Sequence, residues 1–135
     1  MLAVIAIIGV LSSTGYARLS SVLEHAKVAR AIGDLATVAL ELASMDTVPA
    51  SLAAIRRGDM LDPWGRAYVY VPFPLNTAPP TDARLDRFLV PINSRFDLYS
   101  LGPDGQTMPA LTAPYSRDDI VVGNDGAFAL RALEY

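Results

Sequence analysis

The chain has 135 residues, a formal charge of −3, a pI near 4.9 and no cysteine. Every basic residue but Lys27 is an arginine, and these stand singly except for Arg56 and Arg57, so there is no electrostatic ground for a nucleic-acid partner. The lack of cysteine excludes a disulfide framework and thiol chemistry, and leaves long loops to be restrained by other means.

Residues 1–16 carry no charged side chain, and the first to appear is Arg18. As a helix this run covers roughly 24 Å, against about 30 Å for a hydrocarbon core. Nothing basic precedes Leu2, and Tyr16-Ala17-Arg18 is a poor cleavage site, so a retained rod is favoured over a removed secretory signal. Leu19, Val22, Leu23, Ala26, Ala29, Ile32, Leu35, Ala36, Ala39 and Leu42 recur at three- and four-residue steps, which predicts one apolar helical face continuing to about Ser44. Glu24, Lys27, Arg30, Asp34 and Glu41 read as a solvated face, with Glu24–Lys27 and Arg30–Asp34 at i,i+3 and i,i+4 spacing. His25, the one histidine, has no partner at ligand spacing and reads as a surface residue.

The opening string Met1-Leu2-Ala3-Val4-Ile5-Ala6-Ile7-Ile8-Gly9-Val10-Leu11 resembles the start of type IV pilins and of the pseudopilins of type II secretion systems. That resemblance implies, ahead of Met1, a glycine cut by prepilin peptidase and a short segment ending in glutamate. It also implies a single-pass protein of the bacterial inner membrane. Residues 1–17 would be the membrane anchor and filament-core half of the helix, and residues 18–135 a periplasmic domain with an amphipathic helix at 18–45 and a sheet within about 66–133. Pilins of this kind carry a proline where this chain has Ala17; here Gly15, beside Ser12, Ser13 and Thr14, is the weakest point of the rod.

Further along, Asp46-Thr47-Val48-Pro49 ends the rod, because the residue before a proline is pushed out of the α region. Residues 51–57 form a short helix with Leu52 and Ile55 inward. In Asp62-Pro63-Trp64-Gly65, Asp62 accepts backbone N–H bonds, Pro63 fixes the second turn position and Gly65 relieves the exit. A strand is predicted at 68–71, and the whole string Asp62-Pro63-Trp64-Gly65-Arg66-Ala67-Tyr68-Val69-Tyr70 resembles the turn leading into the sheet of major pseudopilins. Residues 73–84 read as an irregular loop. Strands follow at 87–92 and 96–101 about a turn at Asn93-Ser94, the latter with Phe96, Leu98 and Ser100 on one face. A strand at 119–122, a tight turn at 123–126 that by itself accounts for Asn124 and Asp125, and a closing strand or short segment at 127–133 complete the chain. The predicted fold class is α+β, a long N-terminal pilin-type helix packed on a small antiparallel β-sheet.

The stretch Phe96-Asp97-Leu98-Tyr99-Ser100-Leu101-Gly102-Pro103-Asp104-Gly105-Gln106 again resembles the pseudopilins, whose strand runs into a Ser-Leu-Gly-x-Asp-Gly turn. The resemblance implies a Ca²⁺ held by the carbonyl of Leu101 and by Asp104, Asp118 and Asp119, with Asp97 outside the shell. Hard oxygens converging from two loop segments suit that ion. The plainer alternative stays open. Gly102-Pro103-Asp104-Gly105 is a good β-turn by itself, Asp118 caps or faces solvent, and residues 107–115 form a stiff apolar cover that restrains the loop by packing. Ser116 stands where the family often has an acid, and three carboxylates are few for the six to eight oxygens of calcium.

No nucleophile, base and orienting acid can be assembled from the sequence, and glycine-rich phosphate loops are missing, so a structural rather than a catalytic role is expected. As the resemblance implies, the function is that of a type II secretion pseudopilus subunit, polymerising through its N-terminal helix to drive protein export. Its partners would be copies of itself in a helical filament, other pseudopilins, the inner-membrane assembly platform and prepilin peptidase. A type IV pilus subunit for adhesion, motility or DNA uptake, and a membrane-anchored binding domain that never polymerises, are the alternatives.

Overall fold

The structure is a computed structural model that describes the backbone from Leu2 and the side chains from Arg18. One helix, α1 (Leu2–Ala43), leads into a four-stranded antiparallel sheet of β1 (Val69–Pro72), β2 (Phe96–Ser100), β3 (Ile120–Gly123) and β4 (Phe128–Arg131), in that spatial order. The chain is thus an α+β protein. At 1.5 Å per residue α1 is about 63 Å long. Among the described residues no helix is long and apolar enough to cross a membrane. The anchor expected at 1–17 and the weak point around Gly15 rest on side chains outside those described.

Ala31, Leu35, Val38, Ala39 and Leu42 line one stripe of α1 and are buried against Phe96, Leu98, Ile120 and Val122 of the sheet. Alternation along β2 and β3 sends these four residues to the helix side. Burying each large aliphatic side chain here stabilises by about 1.5–3 kcal/mol. The apolar stripe continues upward from this core but is uncovered there: Leu19, Val22 and Leu23 are 58, 62 and 55 % exposed. Among the described residues of α1, burial against the sheet begins at Ala31, so the period marks the apolar face but not how much of it this domain covers.

The polar residues of α1 are not simply solvated. Trp64 Nε1 donates to Glu24 Oε1 at 2.9 Å, Tyr68 Oη to Asp34 Oδ2 at 3.0 Å, and Arg57 Nε to Glu41 Oε2 at 3.3 Å. Three helix acids therefore moor the segment between α1 and β1, while Lys27 and Arg30 lie 3.9 and 3.6 Å from Glu24 and Asp34. His25 is exposed. The Asp62 turn forms as its residues require. Asp62 Oδ1 accepts the amides of Trp64 and Arg66 at 3.0 and 2.8 Å, and Gly65 takes φ +86°. At the end of α1 the carbonyl of Met45 accepts from Arg95 Nη2 at 2.6 Å, a cation placed against the negative end of the helix dipole.

No strand forms at 87–92. Pro91 has no amide to give a ladder, and Asp86 N–H bonds the Leu89 carbonyl at 2.9 Å while Ile92 N–H bonds that of Arg84 at 2.9 Å, which closes the segment on itself. Asn93 and Ser94 consequently turn no hairpin. Asn93 Nδ2 donates to Asp97 Oδ1 and to the Val122 carbonyl, each at 3.0 Å, and Asn93 Oδ1 accepts the amide of Asp125 at 2.9 Å. Asn124 and Asp125 do adopt φ of 52° and 54°, but Asp125 does more than turn the chain. It accepts the amides of Ser94 and Arg95 at 2.7 and 3.0 Å and the Ser94 hydroxyl at 2.5 Å.

These bonds rank two substitutions. Trp64→Phe keeps an aromatic ring and removes one donor to a half-exposed carboxylate, so it is expected to cost about 1 kcal/mol. Asp125→Ala removes three acceptor bonds and is expected to cost about 2 kcal/mol or more. Urea unfolding of the two variants checks the order, and equal losses would contradict it.

Candidate functional site

The segment from Leu101 to Asp119 lies between β2 and β3 and holds every residue expected to bind a metal. It starts as a turn built for glycine. Gly102 has φ +62°, and a Cβ there would stand 2.4 Å from the Asp118 carbonyl oxygen, so no other residue fits without moving the second segment. The turn is fastened from below. Ser100 Oγ donates to buried Asp62 Oδ2 at 2.7 Å, Gly102 N–H to Ser100 Oγ at 3.2 Å, and Arg66 Nη2 to the Gly102 carbonyl.

Asp104 and Asp118 are brought together, the amide of Asp104 donating to Asp118 Oδ2 at 3.2 Å. Asp104 Oδ1 accepts the Gln106 amide at 2.8 Å, and the Leu101 carbonyl accepts that of Gly105 at 3.2 Å. Asp119 is fully buried and is already engaged: Thr107 Oγ1 donates to its Oδ2 at 2.5 Å, and Arg84 Nη2 lies 3.2 Å from the same oxygen. Its Oδ1 is buried without a hydrogen-bond partner among the described residues.

Arg84 was not separable, on sequence, from the irregular loop around it. Its side chain is 3 % exposed. The guanidinium carbon sits 3.7 Å from the centroid of the Tyr99 ring, Nη1 donates to the Met108 carbonyl, and the backbone amide donates to Asp97 Oδ2 at 2.7 Å. Asp97 is therefore a buried structural acid, 2 % exposed. Ser116 closes the loop: its hydroxyl donates to the Met108 carbonyl at 2.8 Å and accepts the Met108 amide at 2.9 Å. Leu85 N–H bonds the Pro109 carbonyl at 3.1 Å and Leu111 N–H that of Leu85 at 2.9 Å. Leu111 is buried with Ile92, Val121 and Ala132 on the sheet face opposite α1.

The fit to calcium can be judged from these contacts. Among the described residues no three acidic or histidine side chains are placed to hold a metal ion. Of the four expected ligands, Leu101, Asp104 and Asp118 each have an oxygen taken by an amide, and Asp119 carries a guanidinium. In this arrangement the residues do not form the shell that calcium requires, although Asp119 Oδ1 remains a free acceptor.

Burial pushes the Asp119 carboxyl up to about 6, against the opposing pull of the Thr107 hydroxyl and of Arg84; Asp118 and Asp104 add to the rise. At neutral pH it is ionised and paired. Burial also raises Asp97, opposed by its bonds from Asn93 and Arg84.

Comparison with protein-family models, with characterised proteins and with solved structures finds no match.

The Asp119 shift has a definite sign. Its folded value lies above the ordinary 3.8, so the stability it contributes is fully present below about pH 4 and is lost as pH rises through about 6. Stability measured across that window is expected to fall more steeply with rising pH in the native chain than in Asp119→Asn. Parallel slopes would contradict the shift.

Proposed function

We propose that this protein is a pseudopilin-like structural subunit, retained in the bacterial inner membrane by the first part of α1 and assembled by that helix into a filament serving type II secretion. One observation carries the reading. In the described part of a helix of about 63 Å, the stripe buried by its own domain begins only at Ala31, and Leu19, Val22 and Leu23 stand 58, 62 and 55 % exposed above it. Apolar surface of that kind on a rod is suited to burial against neighbouring rods, and a heterologous rod-to-rod contact repeats without closing. The opening string and the two turn motifs, at Asp62 and at Gly102, add support by resemblance. On this reading the folded half is a rigid head that must keep its shape while the helix changes partners.

Site-specific photo-crosslinking in cells tests the proposal. A benzoylphenylalanine at Val22 is expected to give a ladder of multimers of this chain, and the same probe at exposed Phe88 a much weaker one. Adducts confined to monomers and unrelated proteins at Val22 would instead mark a membrane-anchored domain that does not polymerise. Loss of secreted enzymes on deletion of the gene is the expected phenotype; loss of motility or transformation with secretion intact would indicate a type IV pilus subunit.

A further inference from the structure

The Leu101 to Asp119 segment ends on a carboxylate, Asp119, that has no access to water and so needs a cation beside it. We propose that this cation is the protein's own Arg84 guanidinium, which holds the loop in the place of a divalent metal.

Three contacts of one buried group support it. Arg84 joins the carboxylate of Asp119 at 3.2 Å, the carbonyl of Met108 in mid-loop, and the face of Tyr99 on β2, 3.7 Å away. It thereby ties the loop, the start of β3 and the middle of the sheet together, the cross-link that a metal ion in a two-segment site would make. A guanidinium suits this, because one fixed charge can pair with a carboxylate and donate to a carbonyl while its flat face stacks on a ring. The arginine is itself fixed: its amide donates to Asp97 Oδ2 at 2.7 Å, and its carbonyl accepts from Ile92 N–H at 2.9 Å. Thr107 and Ser116 complete the restraint with bonds to Asp119 and to Met108. The proposal stands whether or not the chain assembles into filaments.

The test uses the full chain in mild detergent. Melting curves in EDTA and in millimolar calcium are expected to coincide within about one degree, where a metal-held loop of this size would shift by roughly ten. Limited trypsin digestion at Arg117, which is exposed in the loop, is expected to accelerate several-fold in Arg84→Met, with Arg84→Lys between that variant and the native chain. A rise in melting temperature with calcium that Asp104→Asn abolishes would overturn the proposal, and so would an Arg84→Met chain that folds and resists cleavage at Arg117 as well as the native one. Should Arg84→Met fail to fold, the calcium comparison on the native chain decides alone.

Discussion

A full charge pair, Arg84 with Asp119, sits at 3 and 0 % exposure in a domain of modest size. Neither ion is tolerable without the other, since removing one partner of such a pair destabilises by about 3–5 kcal/mol. The surrounding residues are arranged to meet that demand. Thr107 satisfies one oxygen of Asp119, the Met108 carbonyl accepts from Nη1 of Arg84 and the Tyr99 ring covers the guanidinium face, while Arg84 Nε and Asp119 Oδ1 are buried without a hydrogen-bond partner among the described residues. Asp97 holds the backbone of the arginine through its amide. The loop that should be the softest part of the domain is consequently pinned at its start, middle and end.

The pinned loop faces away from the helix. The sheet carries α1 on one face through Phe96, Leu98, Ile120 and Val122, and on the other face lies the cluster of Ile92, Leu111, Val121 and Ala132 beneath the loop. β2 and β3 are thus buried from both sides, and the two clusters share only the sheet between them. The side of the domain away from α1 is therefore locked independently of the helix. Between rod and head, the bonds from Trp64, Tyr68 and Arg57 to Glu24, Asp34 and Glu41 fix the angle at which one is carried by the other.

Much of this architecture was legible in the residues because it rests on local chemistry. The long helix, the Asp62 turn, β1 to β4 and the positive φ of Asn124 and Asp125 follow from periodicity and turn preferences. What was not legible depends on distant partners. Residues 87–92 have strand-like composition, yet Pro91 cannot join a ladder, and the backbone bonds of this segment run to Arg84, Asp86 and Asn124. The acids of α1 looked solvated because their donors lie 16 to 40 residues away. Arg84 carries no signal in sequence, being one arginine in a loop, and only its burial beside Asp119 gives it a role. The calcium ligands drawn from family resemblance are where the motif places them in the chain, with Asp104 and Asp118 adjacent, but Asp119 is turned to a partner that the motif does not contain.

The central claim is that the Arg84–Asp119 pair holds the loop as a unit, and a double-mutant cycle measures that most directly. Urea unfolding of the full chain, Arg84→Met, Asp119→Leu and the double variant isolates their coupling. The account predicts that the double variant is more stable than the sum of the single losses by about 2 kcal/mol or more. Single losses that add to within about 0.5 kcal/mol would show two independent residues and contradict it.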